Sequence, residues 1–180
     1  MTSVQERLFD VRDTRAVVTG AASGLGYAMA EVLAECGARV TLADIDEERL
    51  EASTARLHER GCDARGVVTD VRDEGAVDAL VDGVVAEQGG VDVVFANAGL
   101  ASVPGFRVDG GQTLATLERS DWDTVLDVNL NGVIHTMRSA ARAMTGSSSW
   151  PSAFIPCSIV CTHGCQSLRS RIPRRSSTRA

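Results

Sequence analysis

Three glycines, Gly20, Gly24 and Gly26, and one carboxylate, Asp44, have the types and the spacing to bind a nucleotide diphosphate. Gly20 permits a sharp turn, Gly24 lets the backbone approach phosphates, and Gly26 lets a helix pack close to a sheet. The phosphates would then meet free N–H groups at the positive end of a helix dipole. Because the Gly-x3-Gly-x-Gly spacing is not the G-x-G-x-x-G fingerprint, the position of the cluster between a strand and a helix carries this prediction.

The carboxylate predicts which dinucleotide is bound. Asp44 ends the second predicted strand, 24 residues after Gly20. A carboxylate there can accept hydrogen bonds from both ribose hydroxyls of an adenosine and would repel a 2′-phosphate, which predicts NAD rather than NADP as the cofactor. The alternative is a solvated aspartate at the end of a strand.

The elements that must position these groups alternate between strand and helix. Short apolar runs of this kind are typical of strands that are buried on both faces of a parallel sheet. We therefore predict an incomplete, doubly wound parallel α/β sheet of the Rossmann-like type over residues 1–144, as one dinucleotide-binding domain. The predicted strands are 16–19, 39–44, 66–70 and 91–96, and the predicted helices are 27–36, 46–60 and 74–88.

A further helix is predicted over residues 121–144, with Ser120 as its N-cap. Asn129 falls on the apolar stripe of this helix, where a buried amide without partners would cost about 1–3 kcal/mol. From the pattern alone, a structural asparagine that bonds a nearby backbone group is as good an explanation as a functional asparagine. The stripe consists of Trp122, Val125, Leu126, Leu130, Val133, Met137 and Ala141.

Composition divides the chain near residue 145. The whole chain is 44% apolar and 23% charged, which excludes wholesale disorder, collagen and a disulfide miniprotein. Residues 1–144 carry 24 acidic and 13 basic side chains, whereas residues 145–180 carry five arginines and no acid. This Ser/Arg/Pro/Cys-rich tail shows no further sheet pattern, so we expect it to be irregular and aberrant. Translation of a GC-rich gene in a shifted frame would give such a composition.

The tail also holds two patterns that could bind ligands. Four possible zinc ligands, Cys157, Cys161, His163 and Cys165, lie within nine residues, but their spacing matches no common zinc knuckle. The arginines between Arg169 and Arg179 could contact nucleic acid or an acidic surface, although a solvated tail has the same composition. We expect neither a metal nor nucleic acid as a partner.

No targeting or membrane segment is predicted. The N-terminus, MTSVQERLFD, lacks the apolar core of a signal peptide, so we expect a cytoplasmic protein. The longest uncharged run, residues 143–168, is interrupted by Pro151 and Pro156 and is no candidate for a transmembrane helix. We therefore expect no membrane partner.

Taken together, residues 10–144 resemble the short-chain dehydrogenase/reductase family. The run from Thr19 to Gly26 resembles its TGxxxGxG loop, Asp44 its NAD-selecting acid, and Asn97-Ala98-Gly99 its NAG element. The Asp70-Val71 pair resembles the pair that contacts adenine in the family. The resemblance implies that NAD is contacted by Thr19, Gly20, Ser23, Gly24, Leu25, Gly26, Asp44, Ile45, Asp70, Val71, Asn97, Ala98 and Gly99.

The resemblance also implies hydride transfer between nicotinamide and a small-molecule alcohol or carbonyl substrate. Asn129 would hold a water of the proton relay, and Ser158 falls near the position of the family's substrate-binding serine. The family's Tyr-x3-Lys pair is absent, because the chain has no lysine and its one tyrosine is Tyr27. Counting by the family's spacing reaches Arg171 and Arg175 instead.

Three functions follow as expectations. The first is an NAD-dependent oxidoreductase whose chain, as given, is truncated or frameshifted and catalytically inactive. The alternative is a non-catalytic protein that binds NAD or regulates a partner. A third possibility is a product that folds poorly because its sheet is incomplete. The family's habit of assembling through long helices implies that the predicted helix over residues 121–144 could join subunits in a homo-oligomer.

Overall fold

A single sheet of parallel strands forms the centre of the computed structural model, which describes residues 10–100, 118–146 and 158–161. Its strand order is β3-β2-β1-β4-β5. This order confirms the predicted doubly wound sheet, because the chain moves outward from β1 in one direction and then crosses back to β4. The strands are β1 (Arg15–Thr19), β2 (Arg39–Asp44), β3 (Ala64–Val68), β4 (Val93–Ala96) and β5 (Ser158–Cys161).

Helices connect the first four strands, and a further helical segment follows the fourth. They are α1 (Gly24–Glu35), α2 (Glu47–Glu59), α3 (Glu74–Gln88), α4 (Arg119–Leu126) and α5 (Gly132–Gly146), with a π-helical turn (Asp127–Asn131) joining the last two. Their starts after β1, β2 and β3 place the first three N-termini at the carboxyl edge of the sheet.

The core lies on both faces of the sheet. On one face, Val18, Val40 and Leu42 pack in a cluster with apolar residues of α1 and α2. On the other face, Val17 and Val94 pack in a cluster with apolar residues of α3 and α5. Burial of successive residues of β1 on opposite faces explains why its sequence is a continuous apolar run.

An ion pair joins β1 to the start of β4 at the amino edge of the sheet. Arg15 Nε and Nη2 each donate to one oxygen of Asp92 at 2.7 Å, and the backbone N–H of Arg15 donates to Asp92 Oδ2 at 2.9 Å. The side-chain hydrogen bonds from Arg15 lower the pKa of Asp92. This bidentate pair fixes the register in which the two strands enter the sheet.

The long helix differs from its prediction. It begins at Arg119 after Glu118, so Ser120 lies inside the helix and is not its N-cap. The π-helical turn inserts an extra residue and rotates the faces that follow. Leu130 of the predicted stripe lies in this turn and is 51% exposed, and Trp122, which precedes the turn, is 46% exposed. The buried face of α5 consists of Gly132, Thr136, Ser139 and Ala140.

The tail contributes a strand that the sequence pattern did not predict. Residues 158–161 pair in parallel with β4, Ser158 opposite Val93 and Cys161 opposite Ala96. The expectation of an irregular tail is therefore wrong for these four residues. The edge of β4 offers unpaired N–H and C=O groups, and a short uncharged segment with two β-branched residues can satisfy them. The other possible zinc ligands of the tail and its arginines lie outside the described residues.

Residues 10–100, 118–146 and 158–161 hold neither a metal-binding cluster nor a membrane-spanning helix. No group of three or more His, Cys, Asp or Glu side chains there could hold a metal ion. None of the helices there is long and apolar enough to cross a membrane.

Candidate functional site

A cleft of about 540 Å³ opens at the carboxyl edge of the sheet. All of the predicted cofactor residues except Thr19 and Gly24 line it, so the fold brings together side chains from four separate strand ends. Four further residues that the sequence did not indicate also line the cleft: Thr69, Arg72, Leu100 and Val128. Proximity to motif residues could have indicated Thr69, Arg72 and Leu100, since they adjoin the predicted Asp70-Val71 and Asn97-Ala98-Gly99 segments.

The glycine loop between β1 and α1 has no room for side chains at two positions. A Cβ atom on Gly26 would lie 2.1 Å from the carbonyl oxygen of Gly20. One on Gly20, whose φ is 67°, would lie 2.7 Å from Cα of Ala98. Contacts this short require the backbone to move, so the loop adopts this form only with glycine at both positions.

The first turn of α1 is open to the cleft. Ser23 is the N-cap, with an extended backbone (φ −161°, ψ 174°) and no side-chain hydrogen bond to the helix. No acidic side chain lies in the first turn, and Ser23, Gly24 and Leu25 are exposed. The N–H groups of this turn therefore remain available, together with the positive end of the helix dipole, to an anionic ligand.

Asp44 holds the glycine loop as well as facing the cleft. Its Oδ2 accepts the backbone N–H of Ala22 at 2.9 Å, and its Oδ1 accepts the N–H of Asp46 at 3.1 Å. The N–H of Ala21 donates to the carbonyl of Ala43 at 3.2 Å. Each carboxylate oxygen keeps further acceptor capacity, so these bonds still allow ribose hydroxyls to donate to Asp44. This second role of Asp44 is not visible in the sequence.

Asn97 and Thr19 lock the ends of β1 and β4 together. Asn97 Nδ2 donates to the carbonyls of Thr19 and Gly20 at 3.0 and 3.3 Å. Thr19 Oγ1 accepts the backbone N–H groups of Asn97 and Ala98 at 3.1 and 3.2 Å and donates to the carbonyl of Phe95 at 3.2 Å. Thr19 is 1% exposed, so its place is behind the cleft wall and it acts through these bonds.

An ion pair lies at the Asp70-Val71 end of the cleft. Arg72 Nη2 contacts Asp70 Oδ2 at 2.6 Å, and the backbone N–H of Arg72 donates to Asp70 Oδ1 at 3.0 Å. The side-chain hydrogen bond from Arg72 lowers the pKa of the Asp70 carboxyl. Asp70 is therefore an ionised acceptor at the cleft, and the charge of Arg72 is already compensated.

Asn129 is bonded to the chain segment that follows β4. Its Oδ1 accepts the N–H of Leu100 at 2.7 Å, and its Nδ2 donates to the carbonyl of Leu100 at 2.9 Å. This confirms that the amide finds a backbone partner. The residue lies within the π-helical turn, whose neighbour Val128 lines the cleft. A role for Asn129 in proton transfer stays a prediction.

Tyr27 and Ser158, two further candidates for acid–base chemistry, lie in different elements of the fold. Tyr27 lies in α1, and burial together with the nearby Glu31 carboxylate raises the pKa of its phenol, whereas a general base needs a lowered one. Ser158 is the first residue of β5. Arg171 and Arg175 lie outside the described residues. Among the described residues, no tyrosine–lysine pair faces the cleft.

A family model described as short chain dehydrogenase matches residues 14–164, beyond the compositional boundary near residue 145. The chain is 41% identical over 134 residues to a cis-4-hydroxycyclohexanecarboxylate dehydrogenase from Sinomonas cyclohexanicum, covering 74% of this chain and 51% of that protein. It is 38% identical over 149 residues to a D-threitol dehydrogenase from Mycolicibacterium smegmatis, covering 80% and 54%. The chain thus spans about half the length of the curated relatives it matches.

Solved structures that resemble this fold are also described as short-chain dehydrogenases/reductases. A short-chain type dehydrogenase/reductase from Mycobacterium marinum aligns with a TM-score of 0.72 and 32% identity, over 81% of this chain and 55% of that one. A short chain dehydrogenase/reductase from Burkholderia phymatum in complex with NAD aligns with a TM-score of 0.69 and 38% identity, over 77% and 46%.

Proposed function

The chain belongs to the short-chain dehydrogenase/reductase family, and from this membership we propose that the whole protein is an NAD-dependent oxidoreductase. Its substrate is a small molecule with an alcohol or carbonyl group. When bound, NAD supplies a nicotinamide ring that accepts or gives a hydride. The residues described below bind and orient that cofactor.

One observation carries the proposal: the uncapped start of α1 meets a glycine loop in which no Cβ fits at Gly20 or Gly26. Gly20 and Gly26 bring the backbone close, and Ser23 leaves the first-turn N–H groups free. A pyrophosphate fits the glycine loop and the first turn of α1, because it offers many acceptor oxygens and negative charge to their free N–H groups. Hydrogen bonds from Ala22 N–H to Asp44 and from Asn97 to the carbonyl of Gly20 hold the loop before a ligand binds, which lowers the entropic cost of holding a dinucleotide.

The preference for NAD is supported by the end of β2. Asp44 presents a carboxylate to the cleft, and the adjacent Ile45 is apolar and 59% exposed. A 2′-phosphate there would meet negative charge and gain no cation from these two residues. Arg72 lines the same cleft, but its guanidinium is paired with Asp70. Adenosine hydroxyls, by contrast, can donate to the remaining lone pairs of Asp44.

A titration of cofactors tests this preference. Calorimetry of the unmodified protein should give at least about tenfold tighter binding of NAD than of NADP, a difference typical of one charge-assisted hydrogen-bonding site. In the double variant Asp44→Ala with Ile45→Arg, the two affinities should become equal within about threefold. Asp46→Ala is the matched control, since Asp46 is the neighbouring acid but caps α2 instead of lining the cleft. Equal affinities in the unmodified protein would count against the assignment.

Turnover by this chain is a separate question. The sequence contains no lysine, and the phenol of its only tyrosine has a raised pKa in α1. These two observations favour a second candidate function, in which residues 1–180 bind NAD without catalysis and either sense it or regulate a partner. Incubation with NAD and a panel of secondary alcohols should then produce no NADH. Measurable NADH from the purified chain would exclude the non-catalytic function.

A further inference from the structure

A buried serine on α2 contacts the glycine loop from behind. Ser53 has no exposed surface, and its Oγ donates to the carbonyl oxygen of Ala22 at 2.9 Å. Ala22 is the residue whose N–H donates to Asp44. Both polar groups of this one peptide segment are therefore held by side chains, one on each side of the loop. Neither bond belongs to a helix or to the sheet.

The direction of the serine hydroxyl is set by an arginine one turn further along α2. Arg56 Nη2 donates to Ser53 Oγ at 2.7 Å. A serine hydroxyl has one hydrogen and can rotate, so occupation of its acceptor side by Arg56 leaves the hydrogen directed at Ala22. The guanidinium is in turn fixed by the ring of Tyr27, whose centroid lies 4.5 Å from Cζ of Arg56.

The chain of contacts returns to the loop from which it began. Tyr27 is the residue after Gly26, and its backbone N–H bonds the carbonyl of Ser23. From Tyr27 the contacts run through Arg56 and Ser53 to Ala22, which precedes Ser23 in the chain. Two residues of α2 therefore connect Ala22 in the glycine loop to Tyr27 in α1. A change in the shape of the loop would break one of these contacts.

We propose that Ser53, oriented by Arg56 and Tyr27, is a positioning residue that holds the glycine loop in its phosphate-binding form. The proposal rests on the proposed function, since it assigns these residues to dinucleotide binding. It also gives the only tyrosine of the chain a role as a support for Arg56. Loss of the Ser53 hydroxyl would leave the carbonyl of Ala22 without this partner and free the loop to adopt other conformations.

The next residue in the helix provides a matched control. Thr54 is also buried, but its Oγ1 donates to the carbonyl of Leu50 in its own helix at 2.8 Å. Removal of either hydroxyl therefore costs one buried hydrogen bond, and only Ser53 acts on the loop. Ser53→Ala and Thr54→Val compare the two, and Arg56→Ala tests the orienting contact at an exposed residue where unfolding is not expected.

Calorimetric titration with ADP-ribose and with adenosine separates positioning from general stability. Ser53→Ala should weaken ADP-ribose binding about fivefold, the equivalent of one ordinary hydrogen bond, and leave adenosine binding unchanged. Arg56→Ala should weaken ADP-ribose binding about twofold, and Thr54→Val should change neither ligand. Equal binding of ADP-ribose by Ser53→Ala and the unmodified protein would overturn the inference alone. Failure of the unmodified protein to bind ADP-ribose would overturn the proposed function and this inference with it.

A second measurement uses no ligand. Amide hydrogen exchange of the folded apo protein should show faster exchange at Ala22 in Ser53→Ala than in the unmodified protein, with β3 unchanged. Thr54→Val should leave exchange in the loop as it was. If exchange at Ala22 were accelerated equally in both variants, or not at all in Ser53→Ala, Ser53 would not be a positioning residue for the loop.

Discussion

The N-termini of α1 and α3 lie at the same edge of the sheet, but a side chain caps only that of α3. In α3, Asp73 Oδ1 accepts the N–H groups of Gly75 and Ala76 at 2.9 and 3.3 Å, and Glu74 lies in the first turn. In α1, Ser23 makes no such bond and the first turn has no acid. The protein therefore neutralises one helix start internally and leaves the other to a ligand.

This difference shows that the helix dipole alone does not make a binding site. α2 resembles α3, because Asp46 accepts the N–H of Arg49 at 3.0 Å and two glutamates follow it. Three helices therefore present similar dipoles at this edge, and only α1 combines free N–H groups with glycines that let a ligand approach. The capped helices gain stability, and α1 retains the capacity to bind an anion.

The largest effect is expected when the loop of α1 is forced open. In Gly26→Val, the new Cβ collides with the carbonyl of Gly20, so NAD affinity should fall by at least about 100-fold as the cradle deforms. Calorimetry on a sample that circular dichroism shows to be folded measures this loss. Gly83→Ala in α3 is the control, because its Cβ has room and Ala favours a helix by about 1 kcal/mol. Retained affinity in Gly26→Val would contradict the clash.

A smaller effect should follow when α1 is capped like α3. Ser23→Asp places a carboxylate where the phosphates would bind, so NAD affinity should fall about tenfold. The same variant should raise the free energy of unfolding of the apo protein by about 0.5–1 kcal/mol, because the helix gains a cap and a favourable charge. Urea titration and calorimetry measure the two quantities. Tighter binding of NAD by Ser23→Asp, or a less stable apo protein, would contradict the claim that α1 leaves its N-terminus uncapped for an anionic ligand.

The smallest effect is expected when the cap of α3 is removed. Asp73→Ala should lower the free energy of unfolding by about 1 kcal/mol, since Gly75 and Ala76 lose their acceptor. NAD affinity should stay unchanged, because Asp73 does not line the cleft. Ser23→Ala is the paired comparison and should change stability by less than about 0.3 kcal/mol, since Ser23 makes no capping bond. Equal losses of stability in the two variants would show that Ser23 caps α1 in solution.

Much of the site follows from residues whose effect is local. Gly20 and Gly26, the acid at the end of β2, and the segments Asp70-Val71 and Asn97-Ala98-Gly99 were predicted as cofactor contacts, and all of them line one cleft. The glycines and Asp44 were predicted from their positions after strands, whereas the other two segments were implied by the family resemblance. The parallel sheet brings the carboxyl ends of all these strands to one edge.

Other features depend on partners far away in the chain. Asn129 needed a backbone partner, but its bond to Leu100 spans 29 residues. The π-helical turn shifts the faces of α5 relative to those of α4, and a regular helical period cannot predict this shift. The bonds from Ser53 and Asp44 to Ala22 were likewise missed, because each joins separate elements of the fold.

The sequence by itself determined the alternation of strands and helices, the dinucleotide-type glycine turn and the carboxylate beside it, because glycine backbone freedom and apolar periodicity are properties of neighbouring residues. Only the tertiary structure decided that Ser158–Cys161 becomes a fifth strand and that Asp44 and Ser53 hold the loop from two sides. The physical reason is that these features depend on unpaired groups of distant segments. Which hydrogen-bond partners meet there depends on how the elements pack, and the local pattern does not specify that packing.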